Sequence, residues 1–285
     1  MKQNFLPSAD GYDQQPAEPF SAGSIAETQL ATPEGAYTTF RTYERFFVLN
    51  LSRHFSRLEE TSRLAGHPVQ IRRPQLKSIL STIVADYGEA ESRLRVTVDL
   101  SRTVGDLYAA IEKLSVPAPA LYQSGIETIT EVMHRDNPKA KLSGFLAKAA
   151  EAKREAGKDY EEILMVDEKN DILEGLSSNF YGIRDGKLFT AEAGVLSGTT
   201  RDYVLGLAGE LGIPVILEPV RIDETGMLEE AFITSTSRSI LPVTQINGVQ
   251  IGGGVPGSLT RRLMTAFTAD LQRNLEALRD NNGIA

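Results

Sequence analysis

The sequence predicts a two-domain α/β protein whose larger, second domain is a strand-rich α+β domain. Its 285 residues are enough for one or two domains, each with its own core. The first half mixes helical and strand patterns without repeats, and the second half is richer in strands and carries two hairpin signals. We therefore expect a flexible N-terminal arm over residues 1–25, a small α/β domain over 26–138 and a larger domain over 139–285.

The patterned segments of the first half predict strands that lead into helices. In "GAYTTFRTYERFFVLNLSRHFSRLEE", aromatic and β-branched residues predict two strands, and Leu51, Phe55 and Leu58 then follow at helical spacing. The next segment has one apolar face, with Pro74 at its start and Gly88 at its end, which predicts a second helix. "RLRVTVDL" alternates apolar and polar residues, as is typical of a half-buried strand.

The second half begins where the pattern breaks at Pro138. An Ala-rich helix is predicted over about residues 145–156, followed by the buried strand "EEILMV". Two-residue turns at Asp185–Gly186 and Asn247–Gly248 predict hairpins. The segment after "LSGTTR" has a helical face, and a last helix is expected from about Ser258.

Composition excludes several classes of function. With 30 Lys+Arg against 38 Asp+Glu, the net charge of −8 argues against binding to nucleic acid or to anionic membranes. No apolar run could span a bilayer and the N-terminus lacks a signal-peptide pattern, so a cytoplasmic location is expected. The chain has no Cys, and its three His show no metal-ligand spacing, so no metal site is predicted.

Glu174 raises the first question about function. It follows the apolar pair Ile172–Leu173 in "DILEGLSSNFYGIRDGKLFTA", and burying a carboxylate is costly unless a positive or hydrogen-donating group meets it. Two hydroxyl-rich stretches, "LSGTTRDY" and "ITSTSRS", lie further along the chain. Each could be only a helix cap or a polar turn, but a helix start with free N–H groups could also bind a phosphate.

The order of these motifs over about residues 35–270 resembles the class IV (fold type IV) pyridoxal-phosphate aminotransferases. The resemblance rests on "GAYTTFRTY…RHFSRL", "PKAKLSGF", "ILEGLSSNFYGIRDGKLFT", "LSGTTRDYVLGLAGELGI", "TSTSRSILPV" and "INGVQIGGGVPGSLT". The family includes branched-chain and D-amino-acid aminotransferases and aminodeoxychorismate lyase. It implies the two-domain class IV fold, pyridoxal 5'-phosphate (PLP) as cofactor, and a homodimer.

The resemblance also implies a set of cofactor-binding residues. Glu174 would meet the pyridine nitrogen of the cofactor and keep it protonated, so that the buried acid has a cationic partner in the ligand. Arg57 would contact the phosphate as a permanent, forked charge, with the helix start adding fixed dipoles. The predicted cofactor-binding residues are Glu174, Asn179, Arg57, Thr199, Thr200 and Thr236.

The lysine that carries the cofactor is open between two positions. Family spacing before Glu174 ends between Lys139 and Lys141, and the local pattern favours Lys141, because Ala140 precedes it and "KLSGF" resembles the family's run after the lysine. The family commonly has Tyr preceded by Asn in that run, whereas this chain has Phe145. The hydroxyl of that Tyr is therefore missing.

The resemblance implies a PLP-dependent aminotransferase that moves an amino group from a branched-chain-like or D-amino acid to a 2-oxo acid. The lysine would act as general base at the donor's Cα and then as general acid at the cofactor's C4′. Two alternatives stay open. "YTTFRT" resembles the opening strand of aminodeoxychorismate lyase, and a PLP-binding homologue without turnover is the other.

Overall fold

The computed structural model describes residues 2–8, 11–13, 25, 32–157 and 160–279. The strands of these residues are β1 (Lys2–Ser8), β2 (Gly11–Asp13), β3 (Gly35–Arg41), β4 (Phe47–Leu49), β5 (Ser92–Asp99), β6 (Leu107–Lys113), β7 (Ile126–Val132), β8 (Glu162–Val166), β9 (Asp171–Gly175), β10 (Asn179–Arg184), β11 (Lys187–Phe189), β12 (Val215–Ile216), β13 (Val220–Arg221), β14 (Glu230–Ser235), β15 (Ser239–Ile246), β16 (Val249–Gln250) and β17 (Leu275–Ala277). The α-helices are α1 (Leu51–Leu64), α2 (Arg73–Tyr87), α3 (Pro119–Ser124), α4 (Phe145–Ala156), α5 (Thr199–Glu210) and α6 (Ser258–Leu271), and 3₁₀ helices lie at Ile222–Met227 and Gln272–Asn274.

The chain forms two compact units. The first contains the described residues up to Ser115, Ala140–Gly144 and the described residues from Arg273 onward, and the second contains Val116–Lys139 and Phe145–Gln272. This division differs from a single boundary after residue 138. The reason is strand pairing, because β7 pairs in parallel with β8 and with β15 and so belongs to the sheet of the second unit.

The first unit is built on a sheet with the strand order β2-β1-β6-β5-β3. Its pairs are antiparallel, and β17 pairs separately with β4. Strands β1 and β2 lie within the range for which the sequence predicted a flexible arm, and β1 pairs with β6 from Lys2↔Ala110 to Phe5↔Leu107. Except for residue 25, the rest of that predicted arm lies outside the described residues.

The core of the first unit lies between its sheet and its two long helices. Helix α1 contacts β3, and the apolar side of α2 is buried through Leu76, Leu80 and Val84. Gly88 ends α2 with φ +82°, a left-handed conformation that glycine adopts without strain. These helices and β3 to β5 confirm the elements predicted from apolar spacing.

The second unit is built on a ten-stranded sheet in which one pairing closes a ring. The path runs β12-β11-β10-β14-β15-β7-β8-β9-β13, with β16 beside β15, and an additional β9–β10 pairing joins two strands of that path. That pairing is formed by Glu174 opposite Asn179. Two of the predicted site residues therefore lie opposite each other where the sheet closes on itself.

The predicted hairpins of the second unit are confirmed. Asp185 and Gly186 have φ of 51° and 66°, and Asn247 and Gly248 have φ of 50° and 76°. Two consecutive left-handed residues are what a two-residue turn between twisted strands requires. The Ala-rich helix and the last helix also stand where apolar spacing placed them. Within the described part of the chain, no helix has the length and apolar character needed to cross a membrane.

Candidate functional site

Glu174 is a buried carboxylate with three hydrogen-bond donors. Its side chain is 2% exposed, and Arg135 Nε donates to Oε1 at 2.8 Å. Asn179 Nδ2 and the backbone N–H of Leu196 donate to Oε2 at 3.0 Å and 3.1 Å. Charge-assisted hydrogen bonds of this kind offset the cost of burying an ionised group. The burial predicted for Glu174 is therefore compatible with a fixed, charged acceptor.

Arg135 is one of two residues that the sequence analysis did not identify. Besides its bond to Glu174, it donates from Nη2 to the carbonyl of Leu176 at 3.2 Å, and its guanidinium carbon lies 3.7 Å from the centroid of the Phe145 ring. The positive partner expected from the ligand is thus also present within the chain. Arg135 and Glu174 are 39 residues apart in the sequence, so no local spacing could have linked them.

Phe145, the first residue of helix α4, packs its ring on Arg135. An aromatic face over a guanidinium adds a cation–π attraction to the ion pair. The ring therefore restricts the movement of Arg135 and, through it, of the Glu174 carboxylate.

The start of helix α5 brings Thr199 and Thr200 close to Asn179. Both threonines are buried in the first turn, and the N-cap residue is Gly198, without a side-chain cap hydrogen bond. A Cβ on Gly198 would collide with Oδ1 of Asn179. Glycine is therefore required by the close approach of Asn179, which also bonds to Glu174.

Thr236 lies in the turn between β14 and β15 and is partly exposed. Two residues later, Arg238 forms an ion pair with Glu162 at 2.6 Å and donates to Ser177 Oγ at 2.9 Å. The turn is therefore tied to the segment that follows Glu174. Within the second unit, the structure brings together Glu174, Asn179 and the α5 start, and joins the Thr236 turn to the same region.

Lys141 belongs to the first unit and lies against strand β3. Its carbonyl accepts from the Tyr37 N–H at 2.9 Å, its N–H donates to Thr61 Oγ1 at 3.3 Å, and the next residue, Leu142, forms a bridge to Ala36. Its ammonium lies 4.9 Å from the centroid of the Tyr37 ring. The Lys141 backbone is therefore held by both β3 and α1.

Lys139 differs from Lys141 in its surroundings. It is exposed and belongs to the second unit, whereas Lys141 is half-buried. A lysine that must reach a ligand with a fixed geometry needs a fixed backbone and restricted solvent access. These surroundings favour Lys141 over Lys139.

Arg57 lies on helix α1 and is 6% exposed. His54, one turn earlier, is also buried, and its Nδ1 is hydrogen-bonded to Thr38 Oγ1 at 2.8 Å. Burial lowers the pKa of His54 well below its usual value, and the charges of Arg57, Lys141 and Arg53 lower it further. Arg57 and Lys141 of the first unit thus both lie close enough to the neutral His54 imidazole for their charges to lower its pKa.

Arg95 is a second residue that sequence reasoning missed. It lies on β5 opposite Thr39 of β3, and its guanidinium carbon is 5.1 Å from the centroid of the Tyr37 ring. Among the described residues no group accepts a hydrogen bond from its Nε, and burial lowers its pKa. The neighbouring Arg93 is by contrast paired with Glu112 at 2.7 Å. Arg95 is therefore a partly buried cation suited to an anionic ligand.

Each unit carries side chains that suit part of a phosphorylated pyridine cofactor. Among the described residues no group of three His, Cys, Asp or Glu side chains could hold a metal. The first unit contains the Lys141 amine and two arginines, Arg57 and Arg95, and the second unit contains the buried Glu174 carboxylate and the hydroxyls at the start of helix α5. These groups match an aldehyde, a phosphate, a carboxylate and a ring nitrogen.

Comparisons with known proteins point to one family. The family model described as amino-transferase class IV matches residues 35–246. A branched-chain-amino-acid aminotransferase of Pseudomonas aeruginosa is 27% identical over 240 residues, which cover 80% of this chain and 75% of that protein.

Two solved structures share the fold. The T.th. branched-chain amino acid aminotransferase with pyridoxamine 5'-phosphate matches with a TM-score of 0.79 at 22% identity, over 97% of this chain and 98% of that one. The branched-chain aminotransferase of Thermoproteus uzoniensis with norvaline matches with a TM-score of 0.75 at 22% identity, over 97% and 99%. At this identity the likeness shows the fold alone.

Proposed function

This chain belongs to the class IV aminotransferase family and is a PLP-dependent transaminase, and we propose that it moves the amino group of a branched-chain amino acid to a 2-oxo acid. The names of the similar proteins support this donor class. The D-amino acids and the lyase reaction remain the outcomes against which the proposal is tested.

The observation that carries the proposal is the buried Glu174 carboxylate with its three donors. When bound, PLP supplies an electron sink for the negative charge left at the donor's Cα. A protonated ring nitrogen makes the sink more effective, and a buried, ionised carboxylate stabilises that proton. We assign this role to Glu174, with Arg135 and Asn179 fixing the orientation of its oxygens.

Lys141 is proposed as the residue that carries the cofactor and then moves the proton. Its Nζ would take the proton from the donor's Cα as a general base and deliver it, as a general acid, to C4′ of the cofactor. Tyr37 restricts the position of the Lys141 ammonium through its ring face. The bonds from Tyr37 and Thr61 to the Lys141 backbone support this restricted position.

The phosphate of the cofactor is proposed to bind Arg57, Thr199, Thr200 and Thr236. Helix α5 presents backbone N–H groups at its start and the positive end of its dipole, and hydroxyls add donors. Arg57 supplies a permanent charge from a buried position. None of these groups needs to move during the reaction, so they anchor the cofactor without taking part in proton transfer.

Arg95 is proposed to receive the carboxylate of the amino donor. It and Lys141 contact the same Tyr37 ring, at 5.1 Å and 4.9 Å from its centroid. A guanidinium binds a planar carboxylate through two parallel hydrogen bonds. A donor carboxylate held at Arg95 would therefore lie beside the Tyr37 ring that Lys141 also contacts.

We further propose that the chain acts in the cytoplasm and assembles as a homodimer. The acidic composition is compatible with this location, and the resemblance to class IV enzymes supports the dimer. Neither proposal is needed for the chemistry assigned above.

The experiment is an amino-transfer assay with 2-oxoglutarate as acceptor and a panel of L-leucine, L-isoleucine, L-valine, their D-enantiomers and simple amines. We expect the branched-chain L-amino acids to give the highest kcat/KM. A panel in which D-amino acids or amines are preferred would contradict the donor assignment.

Glu174→Gln is the matched variant for this assay, because it keeps the shape of the side chain and removes its charge. Loss of one charge-assisted bond costs about 1.5–3 kcal/mol, and a weaker electron sink adds to this. We expect retained PLP binding with a kcat at least about a hundredfold lower. A kcat near that of the wild type would leave Glu174 with a structural role only.

A further inference from the structure

The turn between β14 and β15 contains a buried ion pair that none of the assigned roles explains. Arg238 Nη2 lies 2.6 Å from Oε2 of Glu162, whose side chain is fully buried, while the Arg238 side chain is 13% exposed. Burying two charges is costly unless further hydrogen bonds satisfy them. The pair is therefore expected to have a role that justifies this cost.

Glu162 is satisfied by donors from the segment after Glu174. The hydroxyls of Ser177 and Ser178 each donate to Oε2 of Glu162 at 2.9 Å. Burial raises the pKa of Glu162, but the charges of Arg238 and Lys153 and the hydrogen bonds from Arg238 and Ser177 outweigh it, and the pKa is lowered overall. The carboxylate is thus an ionised, fixed acceptor.

Gly175 provides the space for this cluster. A Cβ at Gly175 would collide with Oγ of Ser178 and would lie 2.9 Å from Cγ of Glu162. The glycine of "EGLSSN" therefore allows Glu162 to reach the two serines directly after Glu174.

Hydrogen bonds hold both the backbone and the side chain of Arg238. Its Nε donates to Ser235 Oγ at 3.1 Å, and its Nη2 donates to Ser177 Oγ at 2.9 Å. Tyr122 donates from its hydroxyl to the carbonyl of Arg238 at 3.0 Å. These contacts fix both the backbone and the side chain of the turn that carries Thr236.

We propose that Arg238 is a positioning residue for the phosphate end of the cofactor. By joining the Thr236 turn to Glu162 and Ser177, it fixes the distance between the phosphate donors of the turn and Glu174, which binds the ring nitrogen. The inference rests on the proposed function, because it requires Thr236 and Glu174 to act on one cofactor. Arg238 itself does not need to touch the ligand.

The test compares the binding of PLP with that of pyridoxal, which has the same ring and aldehyde but no phosphate. Dissociation constants for both are measured by absorbance for the wild type, Arg238→Gln, Arg238→Lys and Glu162→Gln. Since the ring contribution is common to both ligands, the ratio Kd(PLP)/Kd(pyridoxal) isolates the phosphate contribution. Arg184→Ala, which removes the partly exposed Arg184–Glu224 pair of the same unit, is the control.

We expect Arg238→Gln and Glu162→Gln to raise this ratio about tenfold or more, because either substitution removes the charged contact that ties the turn to Glu162. Arg238→Lys keeps the charge but has one donor group in place of Nε and Nη2, so it cannot bond to Ser235 and Glu162 together and the ratio should rise less. Arg184→Ala should leave the ratio unchanged. If Arg238→Gln does not fold, the ratio in Arg238→Lys decides.

An equal loss of affinity for PLP and pyridoxal would overturn the inference, because it would show a general structural role. An unchanged ratio in all three variants would overturn it as well. A wild-type chain that binds pyridoxal and PLP equally well would refute the phosphate site itself, and one that binds neither would refute the proposed function.

Discussion

At the scale of single residues, the site depends on how charged side chains are buried. Glu174 is paired with Arg135, and Arg135 lies on the ring of Phe145. Removing one partner of such a buried pair leaves the other charge without compensation, at a cost of about 3–5 kcal/mol. A substitution at either residue alone should therefore destabilise the second unit as well as disturb the orientation of Glu174.

The two candidate lysines give a prediction at this scale. Lys141 is half-buried with a backbone held by Tyr37 and Thr61, whereas Lys139 is exposed. We expect Lys141→Ala to abolish the covalent attachment of PLP and Lys139→Ala to leave it intact. Borohydride reduction followed by peptide mapping measures this, and a reduced adduct on Lys139 would overturn the assignment.

Sequence reasoning could reach part of the site for a physical reason. Glu174 was noticeable because an acid in an apolar run must be satisfied, and the helix start at "LSGTTR" has a recognisable polar pattern. Arg135 and Arg95 were missed because their partners come from strand register and from contacts between distant segments. A single arginine in a linker or on a strand has no pattern that distinguishes it from a solvated one.

At the scale of elements, the start of helix α5 determines where Asn179 lies. Gly198→Ala should displace Asn179, because the added Cβ collides with its Oδ1, while the φ of −64° at Gly198 suits alanine. We expect a loss of stability of about 1–3 kcal/mol and weaker PLP binding. The measurements are thermal unfolding and a PLP titration.

Gly206→Ala is the control for this prediction, because it lies in the same helix and has nothing within 4 Å of an added Cβ. It should leave PLP binding unchanged and stabilise the helix by up to about 1 kcal/mol. Equal effects of the two substitutions would contradict the account of Gly198.

Helix α1 and strand β3 are joined by the hydrogen bond between His54 and Thr38, and the protonation of His54 makes the stability of the fold depend on pH. The pKa of His54 is lowered in the fold, so between the unfolded pKa of about 6.5 and the folded pKa the unfolded chain binds the proton and the folded chain does not. The contribution of neutral His54 to the free energy of unfolding should therefore be complete above about pH 6.5. Below that pH the free energy of unfolding should fall by at most about 1.4 kcal/mol per pH unit.

The His54→Asn variant should lose this dependence, because Asn can bond to Thr38 but does not titrate. Unfolding free energies between pH 7 and pH 5 measure the slope. His67→Asn, at an exposed position, should keep the wild-type slope. A slope that persists in His54→Asn would assign the effect to another group.

The order of elements was predictable from apolar spacing and turn residues, but their assembly was not. Helices α2 and α6 and both hairpins stand where the patterns placed them. The β9–β10 closure and the parallel pairing of β7 with β8 depend on contacts that no short pattern encodes.

At the scale of the whole molecule, the chain passes between its two units at four points. Residues 140–144 return to the first unit because they bond to β3, and this return places Lys141 in a different unit from Glu174. The sequence predicted one boundary because a break in apolar periodicity shows where an element ends. It does not show with which sheet the next segment pairs.

The proposed reaction of this chain is amino-group transfer through PLP rather than elimination. Transamination and elimination both begin with removal of the donor's α-proton, and they differ in where the electrons go afterwards.

The direct measurement is a single turnover of the PLP-loaded protein without acceptor, followed by absorbance and product analysis. The donors are branched-chain L-amino acids, D-amino acids and, in parallel, aminodeoxychorismate. We expect a branched-chain L-amino acid to convert the bound cofactor stoichiometrically to its aminated form with release of one 2-oxo acid. Failure of every amino acid, together with release of 4-aminobenzoate from aminodeoxychorismate, would contradict the account.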